Sequence, residues 1–95
     1  MARLYKLTEL TGKHLQAQPL PGKPLIEILG TNRVLIENHR GIVGYSLSEV
    51  TTRVDFGLII ISGDHLTLSM MNREQLVISG EIDSIQLFKK GSSPQ

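Results

Sequence analysis

The chain has 95 residues, without cysteine or tryptophan, and ten Lys and Arg residues against nine Asp and Glu residues give a formal net charge of +1. This length fits one domain with a modest core, and the lack of cysteine excludes a disulfide framework and thiolate chemistry. A charge so close to neutral argues against a general attraction to nucleic acid or to anionic membranes.

The first 24 residues predict an arm and a linker. Leucines at positions 4, 7, 10 and 15 have loosely helical spacing, which indicates a short amphipathic helix over residues 2–17. Gly12 would weaken this helix by about 1 kcal/mol relative to alanine. Prolines at positions 19, 21 and 24 then end any helix, since proline lacks the backbone donor and restricts the residue before it.

The charge pattern of the chain bears on its location. Charged residues interrupt the leucines of the first 15 residues, unlike the apolar core of a signal peptide. The longest apolar run, residues 58–61, is far shorter than the ~20 residues that a membrane-spanning helix needs. We therefore expect a cytoplasmic protein with no direct membrane insertion.

Residues 25–88 predict a β domain. Short aliphatic runs, several with alternating polar residues, are separated by turns that contain glycine or asparagine. The clearest alternation begins at Val50, while residues 58–61 form a continuous apolar run that favours a strand buried on both faces. The predicted strands cover residues 25–29, 33–37, 42–47, 50–56, 58–61, 66–70, 75–79 and 82–88.

Two of the turns carry hairpin signals. Asn38 and Gly41 enclose a four-residue turn that suits a hairpin between the second and third strands. Gly63 and Asp64 suit a two-residue hairpin, because glycine at the first position permits type II′ geometry. After the last strand, residues 89–95 form a polar tail that we expect to be disordered.

The fold class that these elements predict is all-β. Seven to eight short strands with frequent turns favour a small antiparallel meander or sandwich-like domain, with a short N-terminal helical arm. The phrase Ile61-Ser62-Gly63-Asp64 returns 17 residues later as Ile78-Ser79-Gly80-Glu81. This repetition leaves open an alternative, a short β-solenoid in which equivalent turns stack.

The polar residues of two turns suggest one kind of binding site. Glu37 and His39 lie at one turn and Asp64 and His65 at another, and together they could hold a small ligand or a divalent metal. The simpler interpretation is that turns are polar because they face solvent. We predict no metal ligands and no cofactor-binding residues.

Other chemistry has less support. No nucleophile elbow or phosphate-binding loop is present, so we predict no catalytic residues and no enzyme activity. Four aromatic residues offer little surface for base stacking, with only Tyr45 and Phe88 as candidate exposed rings, so we expect no nucleic-acid partner.

The surplus of apolar residues favours protein partners. A chain of this length has limited means to cover both faces of a sheet, so the apolar run could be completed by another chain through strand addition or as a homodimer. A buried central strand is the other explanation of the run. The candidate interaction strand consists of Leu58, Ile59, Ile60 and Ile61.

Several stretches resemble a known family. The segment Glu37-Asn38-His39-Arg40-Gly41 is the most specific, and Gly57 to Gly63, Leu76 to Ile82 and the closing Ile85-Gln86-Leu87-Phe88 extend the agreement. Over about residues 25–88 the chain resembles the YabP/YqfC family of sporulation proteins from spore-forming Firmicutes, and it looks closer to the YqfC branch. The corresponding division is an arm and linker at 1–24, a YabP/YqfC-like β domain at 25–88 and a tail at 89–95.

The resemblance implies a function without implying a reaction. It implies a small mother-cell protein needed for spore formation, in some members for assembly of the cortex or coat, often beside membrane-anchored sporulation proteins. No catalytic residue, and no role for the Glu37–Gly41 segment, is implied. We therefore expect a non-enzymatic assembly or interaction protein in the mother cell, located at the forespore surface, with a membrane-anchored sporulation protein or a second copy as its partner.

Overall fold

The computed structural model describes residues 21–91, and all regular structure in this range is β-strand. The all-β class predicted from the sequence is confirmed. The described residues include no helix long and apolar enough to cross a membrane. The strands are β1 (Leu25–Leu29), β2 (Arg33–Glu37), β3 (Ile42–Tyr45), β4 (Glu49–Val54), β5 (Gly57–Met71) and β6 (Gln75–Lys89).

The strands form one antiparallel sheet in the order β1-β2-β6-β5-β4-β3. The 15-residue strands β5 and β6 pair with each other as a central hairpin. The β1–β2 hairpin joins the outer edge of β6, and the β3–β4 hairpin joins the outer edge of β5. The connection from β2 to β3, residues 38–41, runs from the turn end of the central hairpin, where Glu37 pairs with Gln75, to β4 near its open end, where Ile42 pairs with Thr52.

The two outer hairpins pair with different halves of the central hairpin. β2 pairs with residues 75–79 of β6, and β4 pairs with residues 57–62 of β5. A straight 15-residue strand would span roughly 46 Å, yet the longest dimension of the molecule is 39 Å, so the hairpin is bent. The bend produces two half-sheets: half-sheet A contains β1, β2 and residues 75–79, and half-sheet B contains β3, β4 and residues 57–62.

The repeated phrase lies at this bend. Gly63 on β5 and Gly80 on β6 lie beside register shifts between the two strands. A Cβ at position 63 would collide with the carbonyl oxygen of Glu81, and one at position 80 would lie 2.7 Å from the carbonyl oxygen of His65. Only glycine permits the two strands to approach so closely here, and we call this pair the glycine bend.

Backbone donors at the glycine bend find partners in the turns of the outer hairpins. The N–H of Gly63 donates to the carbonyl of Ser48 (3.0 Å), and that of Gly80 donates to the carbonyl of Asn32 (3.2 Å). These hydrogen bonds extend each outer hairpin past the point where its regular pairing ends. The backbone N–H groups of Gly63 and Gly80 therefore have hydrogen-bond partners, as backbone groups shielded from water require.

Aliphatic side chains of both half-sheets form a single core. The inward-facing positions alternate along each strand, as the period of two predicts. The buried residues are Val34, Ile36, Leu76 and Ile78 of half-sheet A, Val50, Val54, Ile59 and Ile61 of half-sheet B, and Leu66 beyond the bend. The low aromatic content of the chain is thus compatible with a continuous core.

The structure corrects three predictions. Within residues 21–91 there are six strands instead of the predicted seven or eight. Gly63 and Asp64 lie inside β5 and do not close a hairpin, and Gly80 lies inside β6 and does not separate two strands. β2 and β3 do not pair, so residues 38–41 form a crossing connection and not a hairpin turn. The antiparallel order also excludes stacked solenoid turns for the described residues. The predicted helical arm over residues 2–17 lies outside the described residues, as do residues 92–95 of the predicted tail.

Candidate interaction surfaces

The segment Glu37–Gly41, here called the signature turn, crosses from half-sheet A to half-sheet B. Asn38 adopts a left-handed conformation with φ of 65°. Its backbone N–H donates to the carbonyl of Glu74 at 2.6 Å, and its side-chain amide donates to the carbonyl of Lys23 at 2.7 Å. Asn38 therefore joins the chain that enters β1 to the far end of the central hairpin.

His39 is buried at the centre of the signature turn, with 8% of its surface exposed. Its Nδ1 accepts a hydrogen bond from the N–H of Gly41 (3.0 Å), and its Nε2 lies 2.8 Å from the carbonyl oxygen of Asn72. Both contacts are satisfied by the neutral tautomer with its hydrogen on Nε2. Because each ring nitrogen has a partner, the imidazole fastens the turn to the hairpin end.

The remaining contacts of the signature turn are also structural. The carboxylate of Glu37 accepts a hydrogen bond from the side-chain amide of Gln75 at 2.9 Å. The carbonyl of Gly41 accepts from the N–H of Arg53 and from Oγ1 of Thr52, each at 2.8 Å. Of the five residues, Arg40 alone presents an exposed side chain. The turn thus holds the two half-sheets together and contributes one cation to the surface.

The second histidine turn has a different environment. His65 and Asp64 are exposed, and Nδ1 of His65 lies 3.3 Å from a carboxylate oxygen of Asp64. Within residues 21–91, no group of three or more His, Asp or Glu side chains is arranged to hold a metal ion. The structure does not bring Glu37, His39, Asp64 and His65 together as the candidate ligand set that the sequence suggested.

The candidate interaction strand is a central strand. Residues 58–61 of β5 pair with β4 on one edge and with β6 on the other, so this segment has no free edge for strand addition. Ile59 and Ile61 point into the core, while Leu58 and Ile60 are half-buried on the outer face. Contact with a partner through this segment remains a prediction, and it would have to use the outer face.

A cleft with cationic walls lies at the open end of the central hairpin. We call it the basic cleft, and it has a volume of about 290 Å³. Leu58 and Phe88 face each other across β5 and β6, and Arg53 lies next to Leu58 on β4. The residues lining the cleft are Arg40, Arg53, Val54, Gly57, Leu58, Phe88, Lys89, Lys90 and Gly91.

The four cations of the basic cleft come from distant parts of the chain. Arg40, Arg53, Lys89 and Lys90 are all exposed, and no carboxylate of residues 21–91 forms an ion pair with any of them. A net charge of +1 contains no information about where charges cluster, so the sequence does not reveal this surface. The pair Lys89-Lys90 is the only local indication, and the sequence places it in the predicted tail, whereas Lys89 ends β6 and the N–H of Lys90 donates to the carbonyl of Phe56 at 2.6 Å.

A second concavity, the apolar groove, lies beside β1. It has a volume of about 350 Å³ and is lined by Ile28, Gly30, Thr31, Ile82, Asp83, Ser84 and Ile85. Ile28 is 58% exposed and its neighbour Leu29 is 50% exposed. Among residues 21–91, β1 ends the sheet and pairs only with β2, so within this range its other edge has no backbone partner.

Residues 21–91 thus form a small antiparallel β domain that carries a basic cleft, an apolar groove and a crossing turn held by hydrogen bonds. The family model for the YabP family matches residues 22–94. The chain is also 33% identical to the uncharacterized protein YqfC of Bacillus subtilis over 63 residues, covering 66% of this chain and 68% of that protein. No solved structure matches.

The chain belongs to the YabP/YqfC family. The family resemblance recognised in the sequence is thereby confirmed. Membership suggests a sporulation-related protein, and the relative in Bacillus subtilis carries no enzymatic description. The signature turn belongs to the matched region, and its hydrogen bonds to both half-sheets give these residues a structural role.

Proposed function

We propose that this protein is a non-enzymatic interaction module of sporulation, acting in the mother cell during assembly of the spore envelope. Family membership supports the link to sporulation. The interaction role is supported by the exposed edge of β1. There, beside the apolar groove, Ile28 is 58% exposed and Leu29 is 50% exposed. Edge strands with apolar side chains are natural sites for strand addition by another protein.

The partner that fits this edge is a protein with an extended apolar segment. Main-chain hydrogen bonds to β1 would give affinity, and an apolar side chain seated between Ile28 and Ile82 would give specificity. A membrane-anchored sporulation protein at the forespore surface is the partner class that the family association favours. Both the partner and the location belong to this proposal.

The proposal is tested in the organism that encodes the chain. Deleting the gene should reduce heat-resistant spores, and a fluorescent fusion should collect at the forespore surface of the mother cell. Normal spores after deletion, with diffuse signal in vegetative cells, would contradict a role in sporulation.

A pair of variants then tests the edge itself. Ile28→Lys places a charge on the free edge of β1, a change that blocks strand addition while leaving an exposed position exposed. Val43→Lys makes a comparable change on β3, the strand at the other end of the sheet, where Val43 is 46% exposed. We expect Ile28→Lys alone to reproduce the deletion phenotype, with both purified variants folded. Equal sporulation in the two strains would show that the β1 edge is not the contact.

A further inference from the structure

The near-neutral chain has strongly separated charge. Three exposed carboxylates lie beside the glycine bend: Asp64, Glu81 and Asp83. We call them the acidic patch, and their charge is opposite to that of the basic cleft. Seven residues of β5 separate Gly57 in the cleft from Asp64 in the patch, or roughly 20 Å along the strand. The Debye length at physiological salt is about 8 Å, so the two surfaces cannot neutralise each other within one molecule.

The acidic patch brings like charges near each other on exposed positions. Asp64 and Glu81 are directly opposite each other in the pairing of β5 with β6, an arrangement that like charges disfavour. Nδ1 of His65 lies 3.3 Å from a carboxylate oxygen of Asp64, but both side chains are exposed, where ion pairs contribute little. The carboxylates of the patch are therefore accessible to cations of another molecule.

The two surfaces are both accessible. The side chains of Asp64 and His65 are 67% and 81% exposed. The basic cleft is concave, and Leu58 and Phe88 add apolar surface between its cations. Exposed carboxylates of one molecule can therefore reach the cations of the cleft on another.

We propose that the basic cleft binds the acidic patch of a second copy of this chain. The two surfaces are different, so the contact is head-to-tail, and repetition gives a ring or an open chain of copies. The inference rests on the proposed function in one respect, because it names a second copy as a partner of the interaction module. It uses the basic cleft and the carboxylates of Asp64 and Glu81, which do not line the apolar groove, whereas Asp83 lines both the patch and the groove.

Two charge-reversal variants provide the test. The cleft variant, Arg53→Glu with Lys90→Glu, cancels the positive charge of the cleft. The patch variant, Asp64→Lys with Glu81→Lys, reverses the acidic patch without changing a residue of the apolar groove. All four positions are exposed, so folding should survive. Arg33→Glu with Arg73→Glu matches the cleft variant in charge at exposed positions outside the cleft, and Glu27→Lys with Glu74→Lys matches the patch variant in the same way.

Analytical ultracentrifugation of the full chain gives the readout. We expect the unchanged protein and both charge-matched controls to associate at about 100 μM in low salt and to dissociate near 0.5 M salt, because screening weakens exposed ion pairs. Each reversal variant should be monomeric alone. An equal mixture of the two should associate again, since the acidic patch of one fits the basic cleft of the other.

The opposite results overturn the proposal. A monomer at every concentration, or reversal variants that associate as well as their controls, would exclude the head-to-tail contact. Anisotropy with a labelled poly-glutamate peptide and sedimentation with phosphatidylglycerol vesicles would then assign the cleft to a separate acidic protein or to a membrane surface. Neither result touches the sporulation role, which the deletion strain tests independently.

Discussion

The signature turn and the glycine bend both connect half-sheet A to half-sheet B, but they do so by different means. In the signature turn, side chains make the connection: Asn38 and His39 form hydrogen bonds to the backbone of Lys23 and Asn72. In the glycine bend, the connection depends on the absence of a side chain, because Gly63 allows the backbone of β6 to approach β5 closely. A lost hydrogen bond can be partly replaced by water, whereas a steric collision with backbone must be relieved by moving the strands.

The largest effect should follow from filling the glycine bend. Gly63→Ala places a methyl group against the carbonyl oxygen of Glu81, so we expect the free energy of unfolding to fall by about 3–5 kcal/mol. Gly44→Ala is the matched control, because Gly44 on β3 has no positive φ and a Cβ there meets Thr51 at an ordinary 3.7 Å. Urea unfolding of both variants checks the difference. Equal stabilities would mean that the bend can widen at no cost.

A smaller effect should follow from removing the imidazole of the signature turn. His39→Ala removes a buried imidazole and its part-buried hydrogen bonds to the carbonyl of Asn72 and the N–H of Gly41, so we expect the free energy of unfolding to fall by about 2–3 kcal/mol. His65→Asn should change stability by less than about 0.5 kcal/mol, because the site is exposed and asparagine tolerates its φ of 54°. Thermal unfolding of the two variants compares the two histidine turns. A large loss at His65 would contradict this assignment.

The smallest effect separates two contributions of one residue. Asn38→Gly keeps the left-handed conformation accessible but loses the hydrogen bond to Lys23, at a cost of about 1 kcal/mol. Asn38→Ala loses the same bond and adds strain of roughly 1 kcal/mol more, because a Cβ opposes positive φ. Urea midpoints should therefore rank the unchanged protein first, then glycine, then alanine. Identical midpoints for the two variants would show that φ at this position is unimportant.

Local pattern was enough to predict the strands but not how they are joined. The predicted runs at 25–29 and 33–37 agree with β1 and β2, because aliphatic alternation reports directly on a half-buried strand. Glycine after an apolar run usually indicates a turn, and nothing near Gly63 in the sequence reveals that Glu81 lies against it. Asn38 and Gly41 gave a hairpin signal because a crossing connection needs the same left-handed conformations.

The surfaces were less predictable than the strands. Arg40, Arg53, Lys89 and Lys90 meet only through the pairing of β4, β5 and β6, so no window of sequence contains them together. The apolar run at 58–61 can be seen in the sequence. Whether its backbone edges are paired depends on β4, which precedes it, and on β6, which follows it. The pairing register across the sheet determines which cations line the cleft and whether the edges of residues 58–61 are paired. Patterns in a single sequence do not specify this register.

The order of the strands also determines when the chain can fold during synthesis. β2 can pair with β6, and β4 with β5, only after these later strands have been synthesised. The central strands that both outer hairpins need are therefore the last to emerge. Isolated two-stranded hairpins are marginally stable at best. At ordinary rates of translation, the residues from the end of β2 to the end of β6 take roughly 3–10 s to add. During that interval β1 and β2 have been synthesised but have no central strand to join, so the edge of β1 becomes an ordered surface only after β6 has been added.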